Sequence, residues 1–143
     1  MWKTYCAAVL LSFTLALTAC TAAVPALPYD TVRAAAVEYG CRGMLITPQS
    51  GDNALRLAER AVGDAVDNAQ DWCLFLPYGP QDSPDKPEFG VIAVSDDADA
   101  EAIIGHLKER GAEVDKRKGF VVYELGGGKK IIHRLCGNLW TVD

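Results

Sequence analysis

The amino-acid sequence predicts an α+β fold, a two-layer sandwich of about three helices packed on a mixed or largely antiparallel sheet with a C-terminal β-hairpin. Two observations predict it. Apolar residues recur at helical spacing in some segments and form short continuous runs in others. These segments follow the order helix, strand, helix, strand, loop, strand, helix, and then two or three strands. The alternative is a small α/β sheet with helices on both faces.

The spacing of apolar residues predicts three helices. The first covers residues 31–39, with Asp30 as its N-cap and Gly40 just past its end. The second and longest covers about residues 54–69, with a core-facing stripe of leucine, valine and alanine. The third covers residues 96–110, where acids in the first turns and bases in the last turn match the helix dipole.

Short apolar runs predict the strands, which are residues 43–47, 72–76, 89–94, 120–125, 130–135 and 139–142. Between the second and third of these, the segment 77–87 holds four prolines in eleven residues, which predicts an exposed loop. Gly126, Gly127 and Gly128 separate the fourth and fifth runs. Glycines supply the positive φ angles of a tight connection, so these two runs predict the C-terminal hairpin.

The same three glycines precede Lys129 and Lys130, as glycines and a lysine do in many phosphate-binding loops. A loop of that kind follows a strand and opens a helix. Because residues 130–135 are predicted to continue as a strand, the sequence argues against a phosphate-binding loop here.

The N-terminal residues contain an export signal. Lys3 is followed by an uncharged segment, residues 5–17, which is within the length of a signal core and too short to span a bilayer as a helix. Leu17-Thr18-Ala19-Cys20 then resembles the lipobox of bacterial lipoproteins. The resemblance implies cleavage before Cys20, a diacylglycerol on its sulfur and often an acyl chain on its new amino group.

The lipobox predicts the organisation of the chain. Residues 1–19 form the signal peptide, residues 20–28 a short tether and residues 29–143 a single globular domain. Since Thr21 rather than aspartate follows Cys20, we expect the protein at the inner leaflet of the outer membrane, facing the periplasm and bound to the membrane through its lipid. The alternative is an ordinary secretory signal, cut for example after Ala23.

Three cysteines remain in the mature domain, and the periplasm is an oxidising compartment. At most one disulfide can form among them, in any of three pairings. Cys41 and Cys136 each lie beside a glycine at the edge of a predicted element, so we predict a disulfide between them. Cys73 lies in an apolar run and is expected to be a small buried hydrophobe. The alternative is three reduced thiols.

The sequence contains no recognisable catalytic or metal-binding motif, and no cofactor or metal is predicted. We therefore expect a binding or structural accessory module rather than an enzyme. The alternative is a thiol-dependent periplasmic enzyme that uses Cys73 or Cys136 as nucleophile and His133 as base. A third possibility is that the loop 77–87 meets a larger envelope complex.

Basic residues are concentrated around the predicted hairpin. They are Lys116, Arg117, Lys118, Lys129, Lys130 and Arg134, and we call this set the basic rim. The rim is a possible contact for phosphate-bearing lipid headgroups, a cell-wall carboxylate or an acidic envelope protein. The alternative is an edge strand protected by lysines. The formal net charge of the chain is −5, which argues against nucleic-acid binding.

Overall fold

The computed structural model describes residues 27–78 and 86–139. The predicted signal peptide, the lipobox with Cys20, and most of the predicted tether lie outside the described residues. The same holds for most of the proline-containing loop and for all but the first residue of the predicted strand at 139–142.

The described residues form four helices and five strands. The helices are α1 (Pro28–Glu38), α2 (Asp52–Val62), α3 (Asp97–Glu109) and α4 (Lys130–Asn138). The strands are β1 (Gly43–Ile46), β2 (Asp71–Pro77), β3 (Glu88–Ala93), β4 (Glu113–Arg117) and β5 (Phe120–Leu125). Two short 3₁₀ turns, Pro48–Ser50 and Asp64–Asn68, flank α2.

The five strands form one sheet in the order β1-β2-β3-β5-β4, and every neighbouring pair is antiparallel. The predicted α+β sandwich is therefore confirmed, with a sheet that is antiparallel at each pairing of the described strands. The two edge strands differ in character. β4 carries exposed charges, whereas β1 is uncharged.

Helices cover both faces of this sheet. Val121 and Tyr123 of β5 pack with α2 and α3 in one core, whereas Phe120 and Val122 pack with α1 and α4 in a second core. The sheet thus lies between two helical layers, one more than the single layer expected. The continuous apolar runs of β2, β3 and β5 follow from this, because a strand buried on both faces has no polar alternation.

The predicted C-terminal hairpin is wrong, because residues 130–138 form helix α4 rather than a strand. β5 already pairs with β3 on one side and β4 on the other, so it has no free edge for another strand. Ile131, Ile132 and Leu135 also satisfy helical spacing, and all three are buried. The hairpin lies one element earlier, between β4 and β5.

Local signals placed two helix ends correctly, whereas the predicted N-cap Asp30 is wrong, because α1 already begins at Pro28. At α1, the N–H of Cys41 bonds to the carbonyl of Ala36 at 2.9 Å around a left-handed Gly40, which is a Schellman motif. At α3, the side chain of Asp96 accepts a hydrogen bond from the N–H of Asp99, as expected of an N-cap. The second helix was predicted to run unbroken over residues 54–69. In the structure it is interrupted at Gly63 (φ 100°), which separates α2 from the 3₁₀ turn Asp64–Asn68.

A buried carboxylate joins the sheet to α2 and α3. Glu88, at the start of β3, receives two hydrogen bonds from the guanidinium of Arg110, at 2.7 and 2.9 Å. It also accepts one from the hydroxyl of Tyr123 at 2.7 Å. The same guanidinium donates to the carbonyl of Ala61 near the end of α2. Burial raises the pKa of Tyr123 and Glu88 raises it further, so the phenol remains a donor.

We predict that Arg110→Met lowers the free energy of unfolding by about 3–5 kcal/mol, because it leaves the carboxylate of Glu88 buried without its cation. Arg134→Met is the matched control. Its partner Glu38 lies at the same 2.7 Å, but both side chains are about half exposed, so a loss below about 1 kcal/mol is expected. Urea unfolding of the full chain in detergent measures both variants. Equal losses would contradict the assignment of Glu88 and Arg110 as a buried pair.

Candidate ligand-binding cleft

A cleft of about 970 Å³ opens at the end of the sheet where β2 finishes and β3 begins. Its walls come from parts of the chain that are distant in sequence. They are the end of α1 with residues 39–42, Tyr78 after β2, Lys86 and Pro87 before β3, and the connection from β5 into α4. Phe75 and Ile131 also line the cleft.

The end of α1 fixes one wall. The Schellman turn at Gly40 stops the helix and leads Cys41 and Arg42 along the cleft towards β1. Tyr39, the last residue before this turn, donates a hydrogen bond from its hydroxyl to the carbonyl of Lys130 at 3.4 Å. The first and last helices therefore meet across this end of the sheet.

A close approach between β1 and β2 brings Arg42 next to Tyr78. A side chain at Gly43 would collide with the carbonyl of Leu76 and the ring of Phe75, so glycine is required there. Directly after the paired residues Gly43 and Pro77, the N–H of Tyr78 donates a hydrogen bond to the carbonyl of Arg42 at 3.3 Å. Tyr78 remains 61% exposed, which leaves most of its surface accessible at the cleft.

The charge of the cleft is positive. Arg42, Lys86 and Lys130 line it, and no aspartate or glutamate is among its described lining residues. Within residues 27–78 and 86–139, no carboxylate lies within 4.0 Å of these three cations. Within the described part of the chain, these three basic side chains have no ion-pair partner and surround one concavity, which is an arrangement suited to an anion.

The connection from β5 to α4 corrects a second expectation. Gly126, Gly127 and Gly128 follow a strand and lead into a helix, which is the order that the sequence argued against. The carboxylate of Glu124 nevertheless takes two of the free N–H groups in the first turn of α4, those of Ile131 and Ile132, at 3.3 and 3.4 Å. An acidic group of the chain itself therefore occupies the place of a phosphate at this helix start.

The basic rim is not a single positive patch in the structure. Four of its six members form ion pairs on the surface, and Lys118 lies in the turn between β4 and β5. Lys130 is the member that lines the cleft. The ion pairs are Lys116 with Asp97 and Glu101, Arg117 with Asp115, Lys129 with Glu113, and Arg134 with Glu38.

Sequence reasoning missed Arg42 and Lys86. Arg42 follows a helix-ending glycine and Lys86 lies among prolines, so neither stands in a pattern that indicates binding. The fold brings them together with Lys130, since antiparallel pairing places the start of β1, the end of β2 and the start of β3 at one end of the sheet. That these three positive charges line one cleft becomes apparent only in the folded chain.

The predicted disulfide between Cys41 and Cys136 is not formed, and all three described cysteines are free thiols. Cys136 instead donates from its Sγ to Asp115 at 3.4 Å. Burial raises the pKa of Cys136 to about 11, with a further contribution from Asp115. Cys73 is fully buried as predicted, and burial raises its pKa to about 12. Burial and Glu124 also raise the pKa of Cys41.

The two thiol–histidine pairs differ in placement. His133 and Cys136 line the same small cavity of about 180 Å³ between α4 and β4. Cys73 lies inside the core beneath α1 and α4, whereas His133 is exposed. In both pairs the raised pKa of the thiol opposes formation of the thiolate, which is the nucleophilic form.

The described residues contain no group of three histidine, cysteine, aspartate or glutamate side chains that could hold a metal ion. None of the described helices is long and apolar enough to cross a membrane. Comparison of the chain with protein-family models, with curated proteins and with solved structures finds no match.

We predict that none of the three described thiols, Cys41, Cys73 and Cys136, reacts rapidly with a thiol-specific alkylating reagent at pH 8 in the folded protein. Because the pKa of each is raised, the thiolate fraction is lower than in the unfolded chain, and Cys73 is also inaccessible. Mass spectrometry with and without denaturant counts the labelled sites. A thiol that reacts faster in the folded state than in the unfolded chain would contradict this and favour the thiol-dependent enzyme.

We predict that Gly127→Ala destabilises the fold by about 1–3 kcal/mol, since its methyl group would collide with the carboxylate of Glu124 and displace it from the start of α4. Gly137→Ala, in α4 itself, has open space around the added methyl and should stabilise by up to about 1 kcal/mol. Thermal unfolding followed by circular dichroism measures both. Opposite signs are expected, and a neutral Gly127→Ala would argue against the Glu124 cap.

Proposed function

We propose that this protein is a lipid-anchored envelope protein that acts as a binding module facing the periplasm. In this proposal Cys20 carries the lipid, and the anchor holds the domain at the inner leaflet of the outer membrane. The support for the anchor is the sequence Leu17-Thr18-Ala19-Cys20 after a short uncharged run. Two or more acyl chains give stable membrane attachment, whereas one chain is marginal.

The cleft is the observation that supports binding. Three cations line it without an acidic partner among the described residues, although four basic residues of the rim form ion pairs. Uncompensated like charges destabilise a folded domain slightly, so their grouping around a concavity favours a ligand that neutralises them. The anchor and the cleft together describe a module that binds an anionic ligand close to a membrane surface.

The thiols favour this proposal over the enzyme. A catalytic cysteine needs a lowered pKa, which a nearby cation or histidine supplies. Here Cys73 is buried in apolar surroundings and Cys136 lies beside Asp115. Arg117 acts to lower the pKa of Cys136, but burial and Asp115 outweigh it and the pKa of this thiol is raised, as is that of Cys73.

The anchor is tested by labelling with radioactive palmitate in a bacterial host. The wild type should incorporate palmitate and sediment with outer-membrane vesicles, because the thiol of Cys20 receives the lipid. Cys20→Ala should lose both properties and keep an uncleaved signal. Cys41→Ala is the matched control and should behave as the wild type. Absence of palmitate from the wild type, or normal processing of Cys20→Ala, would refute the anchor.

A further inference from the structure

We infer that the ligand of the cleft is an organic phosphate, with its phosphoryl group bound by Arg42, Lys86 and Lys130 and its apolar part packed against aromatic side chains. The inference rests on the proposal that the cleft is a binding site, and it is independent of the lipid anchor. The structure supports it through the charge, the size and the lining of the cleft.

The charge favours a phosphoryl group over a carboxylate. A phosphate monoester carries between one and two negative charges near neutral pH and has three strong acceptor oxygens. The guanidinium of Arg42 can bind two of these oxygens in parallel, and the ammonium groups of Lys86 and Lys130 supply further donors. A carboxylate has one charge and two oxygens, so it would leave part of this donor set unused.

The size indicates a ligand larger than inorganic phosphate. About 970 Å³ is near the upper end of the range for small-molecule sites, and a phosphate ion fills a small part of it. Phe75, Ile131 and Pro87 supply apolar wall, and the rings of Tyr39 and Tyr78 are partly exposed. An organic group attached to the phosphate would cover this surface.

The glycine connection affects the site without forming it. Gly126, Gly127 and Gly128 leave their wall free of side chains, which contributes to the open volume. Glu124 engages the N–H groups of Ile131 and Ile132 in the first turn of α4, so we assign the phosphoryl group to the basic side chains. Glu124 lies directly behind Gly127, and its negative charge reaches the cleft wall at Cys41. This carboxylate opposes an anion and reduces its affinity.

The experiment compares four small probes by isothermal titration calorimetry on the full chain in a non-ionic detergent. They are phenyl phosphate, inorganic phosphate, phenylacetate and benzyl alcohol. We expect phenyl phosphate to bind at least about tenfold more tightly than each of the others, because it alone combines the ring with a phosphoryl group. The affinity should also fall as salt concentration rises. Equal binding of phenylacetate and phenyl phosphate would overturn the choice of phosphate.

Variants test whether binding occurs at the cleft. Arg42→Met and Lys130→Met should each weaken phenyl phosphate binding about tenfold, through the loss of one charge-assisted contact. Arg117→Met and Lys116→Met are the matched controls, because these cations are paired with acids away from the cleft. Glu124→Gln should strengthen binding. If the control variants weaken binding as much as the cleft variants, the site is the basic rim and the inference is wrong.

A final arm separates two sources of the phosphoryl group. Dihexanoyl phosphatidylglycerol, used below its micellar concentration, presents a lipid phosphate to the same cleft. Competition between this lipid and phenyl phosphate supports a shared phosphoryl site. Tighter binding of the lipid identifies a lipid headgroup as the source, and tighter binding of phenyl phosphate identifies a soluble organic phosphate. If neither probe binds, the inference is wrong, whatever the outcome of palmitate labelling. Palmitate labelling can likewise fail while phenyl phosphate binds, so failure of the anchor and failure of the ligand assignment are distinguishable.

Discussion

The buried pair of Glu88 and Arg110 is the constraint on which the arrangement of this fold depends. Arg110 is the C-cap residue directly after α3, and its guanidinium reaches the start of β3 and the carbonyl of Ala61 on α2. A buried charge is costly unless it is paired and hydrogen-bonded, and Glu88 receives three hydrogen bonds here. The pair therefore sets the position of β3 relative to both helices on this face. Lys86 and Pro87 of the cleft directly precede Glu88, so the same pair fixes one wall of the cleft.

Glu124 is the second buried carboxylate, and the cost of burying its charge is offset on the opposite face of the sheet. Glu124 of β5 is paired with Phe89, one residue along from Glu88, so the two acids lie on opposite sides of the sheet near one end. Glu88 is neutralised by a cation, whereas Glu124 is stabilised by the N–H groups at the start of α4. This difference has a consequence for binding. The N-terminus of a helix commonly binds a phosphate, but at α4 the carboxylate of Glu124 interacts with the helix dipole instead. The positive field at the cleft therefore comes from side chains.

Much of the fold could be predicted from local signals, and the failures share a cause. Gly40 and Asp96 mark helix ends because their roles depend on adjacent residues alone. The sequence of α4 fits both a strand and a helix, and the choice was made by β3 and β4, which already occupy both edges of β5. β4 was missed because its charged residues lack the apolar alternation of a strand. Arg42 and Lys86 belonged to no motif, since only the pairing of distant strand ends brings them together.

The contrast between overall and local charge explains how an acidic domain can select an anion. The chain carries a net charge of −5, and some of its surface bases pair with nearby acids, as Lys116 and Arg134 do. Such pairs contribute little to stability, but they reduce the distance over which each cation attracts an anion. Among the described residues, Arg42, Lys86 and Lys130 have no carboxylate within 4.0 Å, and they lie together where strand ends and a glycine connection converge. In the site that we propose, an anion that approaches through a generally repulsive field is attracted at one concave place, and only a ligand small enough to enter it is bound.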